Sequence, residues 1–198
     1  MVNAAMTDAQ LQGLAAQGLN LMRRDIERGG FNFLLASYVE GGQLHRMKSV
    51  EALIIERLGE PWLNCGRTKD LGFGVLAYVA SLKPPDAIVI CAPINRFVPT
   101  PKFEALDADV QERMAREGGN DRHHARVKQG YFRIVDSLMA HAQTAQRICN
   151  YVEAVGAGTP PEVHFFDQDK FDGRLKMYGR TTQEVIRYYD LTPLDLPV

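Results

Sequence analysis

An α+β fold is what this sequence predicts: a single domain over residues 1–198, its sheet mainly antiparallel or mixed and its helices packed mostly on one face. Two observations carry the expectation. Apolar periodicity gives the order helix, hairpin, two helices, strand, long loop, strands, helix, which holds too few strand-helix-strand alternations for a doubly wound parallel sheet. The turns Glu40-Gly41-Gly42-Gln43 and Asp172-Gly173 each join two extended runs, and a tight turn joins antiparallel neighbours.

The elements follow in order. Thr7-Asp8-Ala9-Gln10 is a capping box, in which the threonine oxygen and the glutamine side chain satisfy backbone amides at a helix start. Leu11, Leu14, Leu19, Met22 and Ile26 continue that helix to about residue 28. Its internal glycines, Gly13 and Gly18, each cost about 1 kcal/mol relative to alanine, so packing must hold it. Residues 31–47 form a hairpin about Gly41-Gly42. Ser49 caps a helix carrying Val50, Leu53, Ile54 and Leu58, and Thr68 caps another carrying Leu71, Val75, Tyr78, Val79 and Leu82. Lys83-Pro84-Pro85 ends it, and the compact apolar run DAIVICA is a buried central strand.

Proline density marks residues 93–101 as a loop and as the one plausible subdomain seam. A short charged helix starts near Asp107, and the whole Pro-rich and charged region, 93–130, has the length of a functional lid or contact surface. Residues 131–143 fit a helical stripe (Tyr131, Ile134, Val135, Leu138) and also alternate as a strand, with strand preferred. RICNYVEAV and EVHFF are strands by their β-branched and aromatic content. A final capping box, Thr181-Thr182-Gln183-Glu184, opens a helix through Val185, Ile186 and Tyr189.

Composition narrows the function classes. The apolar share of 45% and charged share of 24% suit an ordinary water-soluble domain. A net charge of -1 removes the global positive field typical of nucleic-acid and anionic-membrane binders. Cys65, Cys91 and Cys149 form no C-x-x-C pair, so neither a zinc knuckle nor a disulfide scaffold is indicated and a reducing, cytoplasmic setting is expected. No secretory signal and no apolar run of membrane-spanning length is present.

Phosphate-cradling and common hydrolase motifs are also missing, and DQDKFDG fails the calcium-loop spacing because Phe171 stands where an oxygen ligand is needed. Three leads remain. Cys65 precedes a helix start beside Arg67 and Lys69, an arrangement that favours a thiolate, although no spacing identifies His45 or His164 as its base. The same loop offers Arg67 and Lys69 to an anion.

The stretch GGNDRHHARVKQGYF gathers His123 and His124 with Arg122, Arg126 and Lys128. Adjacent histidines on a helix point about 100° apart, so the pair does not chelate one metal without help from Asp121, His141 or His164. An anion-binding patch of Arg122, His124, Arg126 and Lys128 is the better use of this segment.

The resulting expectation is a non-catalytic protein–protein interaction or self-assembly module of bacterial or phage type. It uses no cofactor, crosses no membrane, and takes a protein or a second copy of itself as partner. Trp62, Phe97 and Phe103 are its candidate interface aromatics. The alternatives are a small-molecule enzyme built on Cys65 or a His/Asp metal centre, and a nucleic-acid or anion binder working through residues 122–133.

Overall fold

The computed structural model describes residues 6–29, 35–48, 85–117, 120–156 and 158–167. Helix α1 (Asp8–Glu27) leads into strands β1 (Leu35–Glu40), β2 (Gln43–Arg46) and β3 (Ala87–Pro99). Helices α2 (Pro101–Glu104), α3 (Ala108–Arg116) and α4 (Asn120–Lys128) follow, then strands β4 (Phe132–Gln143), β5 (Arg147–Ala154) and β6 (Glu162–Asp167). The six strands make one sheet in the order β2-β1-β3-β4-β5-β6, every pair antiparallel. The α+β class therefore holds. The helices expected over 49–82 and 181–189 and the turn at Asp172-Gly173 lie outside the described residues.

Local chemistry sets the first elements. Thr7 Oγ1 accepts from Gln10 N at 3.2 Å while Thr7 N donates to Gln10 Oε1 at 2.9 Å, completing the capping box. Gly41 and Gly42 take φ of 59° and 76°, the left-handed values that a two-residue hairpin requires. Leu11, Leu14, Ala15, Gly18, Leu19 and Met22 form the buried stripe of α1. It lies on a patch of small side chains, among them Ala87, Cys91, Ala140, Ala142 and Cys149, so the helix axis comes close to the sheet.

One ionic cluster ties the start of α1 to the far side of the sheet. Arg147 Nε and Nη2 donate to the two carboxylate oxygens of Asp8 at 2.8 Å each, and Nη1 donates to Asp167 at 2.6 Å. The hydrogen bond from Arg147 holds the Asp8 carboxyl below its ordinary 3.8. A depressed folded-state carboxyl contributes stability above its unfolded value and loses it as pH falls through the folded one. Acid unfolding of the native chain should therefore show a component below pH 3.8 that Asp8→Asn abolishes. A pH titration of the urea midpoint reads this out, and identical acid limbs for both chains would refute it.

Residues 93–99 correct the sequence reading. They are not a loop: β3 runs unbroken for 13 residues, paired with β4 from Ile88↔Gln143 to Pro99↔Phe132. Pro93 and Pro99 have the same parity, so their nitrogens face one side of the strand. The described part of β1 stops at Leu35 opposite Cys91, short of both. Proline is tolerated in a sheet where its missing donor faces an edge. The seam expected at 93–101 thus falls largely on a continuous strand.

The consequence is an arm. Residues 87–91 of β3 pair with β1, and residues 137–143 of β4 pair with β5. Residues 95–99 and 132–136 find strand partners only in each other among the described residues, while Val155 N donating to Asp136 O and an ion pair from Arg96 to Glu162 of β6 tie them back to the sheet. This two-stranded extension carries α2, α3 and α4 at its end.

Candidate functional site

The tip of the arm is closed at its neck by polar contacts. Thr100 N donates to Tyr131 O at 3.0 Å, and Thr100 Oγ1 donates to Gly130 O at 2.7 Å. Lys102 Nζ donates to Gln129 O at 2.8 Å and lies 4.6 Å from the centre of the Tyr131 ring. Gly130, at φ 78°, makes the turn from α4 into β4.

Inside the neck an aromatic cluster fastens the helices to the ribbon. Phe97 of β3 stacks on His123 at 4.9 Å and meets the edge of His124 at 5.2 Å. Phe132 meets Phe103 of α2 at 4.8 Å and His123 of α4 at 5.8 Å. Aromatic pairs at such separations add about 0.5–1.5 kcal/mol to the burial of their surface. Phe103 is thus a buried clamp at 9% exposure, not the exposed contact that the sequence suggested. Phe97 likewise packs within the tip. His123 Nδ1 is buried with no hydrogen-bond partner, so the ring serves as a packing surface here.

The basic residues of α4 divide between two roles. Arg126 is buried: Nη1 donates to Met114 O at 2.5 Å, and Nη2 lies 3.5 Å from Glu117 Oε2. It fixes α3 to α4. Arg122 is exposed and stands 4.0 Å from the same carboxylate. His124 and Lys128, one turn apart, are exposed. Of the four α4 residues expected to hold an anion, three remain on the surface.

Helix α3 is the least enclosed part. Gln111 Nε2 donates to Leu106 O at 2.8 Å and to Glu104 O at 3.1 Å, and Arg126 holds the other end. Val110 and Met114 form an apolar stripe at i, i+4, backed by Leu106, against the charged Asp109, Glu112, Arg113 and Arg116. Yet none of its nine residues is buried. Sequence reading placed this helix correctly and passed over its stripe; the signal was the spacing of Val110 and Met114 among charges.

Comparison with family models, with characterised proteins and with solved structures finds no match. The site therefore rests on its own geometry.

Other sequence leads fall elsewhere. Trp62, Cys65, Arg67 and Lys69 lie outside the described residues. His45 stacks on Tyr38 at 5.0 Å in the β1–β2 hairpin. His141 is buried, with Nδ1 2.7 Å from Asn150 Oδ1 and Nε2 3.3 Å from Gln143 Oε1. His164 lies across β5 from it, opposite Asn150. Neither converges on His123 or His124, and among the described residues no three His, Cys, Asp or Glu side chains gather as a metal site. Burial pushes the Cys149 thiol up to about 11, which keeps it protonated and unreactive.

Proposed function

We propose that this chain is a non-catalytic protein–protein interaction or self-assembly module, and that the tip of its β3–β4 arm is the contact surface. The observation that supports the reading is α3: an amphipathic helix, tied by Gln111 and Arg126, whose apolar stripe, Val110 and Met114, is only half-buried among the described residues. A half-covered apolar stripe on such a helix is what a helix-binding groove or a second copy would complete. Ile134, on the ribbon below the tip, is 40% exposed. Two buried thiols, Cys91 and Cys149, fit a reducing, cytoplasmic setting.

The paired variant Val110→Glu/Met114→Glu tests this. Light scattering after gel filtration should show self-association, or affinity capture from native lysate a specific partner, that the variant weakens by about tenfold or more. Circular dichroism should be unchanged, because neither side chain is buried. A strictly monomeric chain that retains nothing specific would end the reading.

Arg122, His124 and Lys128 on the exposed side of α4 support a second reading, binding of a nucleic acid or another anion. Its mark would be an affinity that falls as salt rises, and an absent or salt-insensitive gel shift with DNA and RNA would remove it.

A further inference from the structure

A groove of about 460 Å³ lies between the flank of α1 and β2, away from the arm. Its α1 wall is Gln17, Asn20, Leu21 and Arg24, spaced i, i+3, i+4 and i+7 and so one stripe of the helix. Gly42, Gln43 and Leu44 form the opposite wall. Leu21 and Leu44 are half-buried against the core and give the groove an apolar floor. Arg24 is the single charge in the lining, exposed and without an ion pair among the described residues. Asn20 Oδ1 accepts from Arg23 at 3.2 Å, which presents the amide nitrogen as a donor.

Strand β2 adds a directional feature. Among the described residues its strand partner is β1 alone and its other side is an edge of the sheet. Glu40 and Gln43 close a two-residue hairpin and exchange hydrogen bonds, and the alternation of antiparallel pairs repeats this at Tyr38↔His45. Met47 N donating to Ala36 O at 2.8 Å continues the same phase. Leu44 lies between these positions, so its N–H and C=O point away from β1, toward the open edge.

A donor–acceptor backbone pair, an apolar floor, side-chain amides and one guanidinium are together the complement of a peptide. We propose that the groove takes an extended peptide segment that adds to the edge of β2 at Leu44 and sets a carboxylate against Arg24. Backbone pairing supplies the docking direction, Leu21 and Leu44 receive an apolar side chain, and Arg24 selects the charge. The site is separate from the arm and does not depend on the function proposed for it.

Fluorescence anisotropy with the full chain tests this, using a dye-labelled, C-terminally amidated peptide of alternating valine and glutamate. A valine–glutamine version removes the charge, and a valine–glutamine version with a free C-terminus separates a terminal carboxylate from a side-chain one. The acidic peptide should bind, and both Arg24→Ala and loss of every carboxylate should weaken it by about tenfold. Leu44→Pro should abolish binding while β1 pairing survives, since the deleted N–H faces the edge. Backbone N-methylation of the peptide makes the same test from the other side should that variant fail to fold. Equal binding of charged and uncharged peptides, free glutarate competing as well as the peptide does, or no binding by any peptide would each overturn the proposal. Arm variants such as Val110→Glu/Met114→Glu should leave peptide affinity unchanged.

Discussion

Phe132→Ala should detach the tip of the arm, at a cost of about 3 to 5 kcal/mol, while the sheet beneath α1 stays folded. Phe132 is the first residue of β4, 8% exposed, and its ring touches both Phe103 of α2 and His123 of α4. Truncation removes a side chain that both helices touch and leaves a void at the neck. Thr100 and Lys102 still bridge the strands there, but hydrogen bonds near solvent contribute only about 0.5–1.5 kcal/mol each. Helix α3 is tied to the neighbouring chain and to α4 through Gln111 and Arg126, so it should leave with them. Hydrogen exchange should then show lost protection over residues 101–128 and retained protection over 137–143, the part of β4 flanked by β3 and β5. Equal loss throughout would mean that tip and sheet unfold as one unit. Phe103→Leu, which keeps most of the contact, should cost less.

The tip also marks where sequence reasoning stops. What depends on neighbours three or four residues apart was legible: the Thr7–Gln10 box, the Gly41-Gly42 turn, a charged helix starting near Asp107, and the divergence of His123 and His124. The strand over 93–99 was missed because proline reads as a breaker, whereas here the defect falls on a side of β3 where the described part of β1 has already ended. Phe103 and Arg126 read as surface residues because their partners, Phe132 and Met114, lie on other elements of the chain. No local pattern announces such contacts. Arg147 meeting Asp8 across 139 positions is the extreme case. Topology decides those pairs, and the antiparallel order from the hairpin signals was too coarse to supply a register.

Gly18→Val should be the most damaging single change to the α1 interface, at about 3 kcal/mol, and the reason can be tested with a smaller substitution. Alanine at either Gly13 or Gly18 gains about 1 kcal/mol of helix propensity. At Gly13 the new methyl meets nothing within 4 Å, so Gly13→Ala should be stabilising. At Gly18 a Cβ would stand 2.8 Å from Cys91 Sγ and 3.0 Å from Val89 Cγ1. Both partners are fully buried on β3, with Ala140 opposite Cys91 and Ala142 opposite Val89, and short side chains of this kind have no flexible end to move aside. The helix itself must lift, which opens the contacts of Leu14, Leu19 and Met22 along the same stripe. Gly18→Ala should therefore be net destabilising despite its propensity gain. Cys91→Ala removes the closer obstacle, so the double variant should be more stable than the sum of the single effects, a coupling that urea denaturation of the four chains would measure. If Gly18→Ala matched Gly13→Ala in stability, the close approach of α1 to β3 would not be the constraint that keeps glycine at this position.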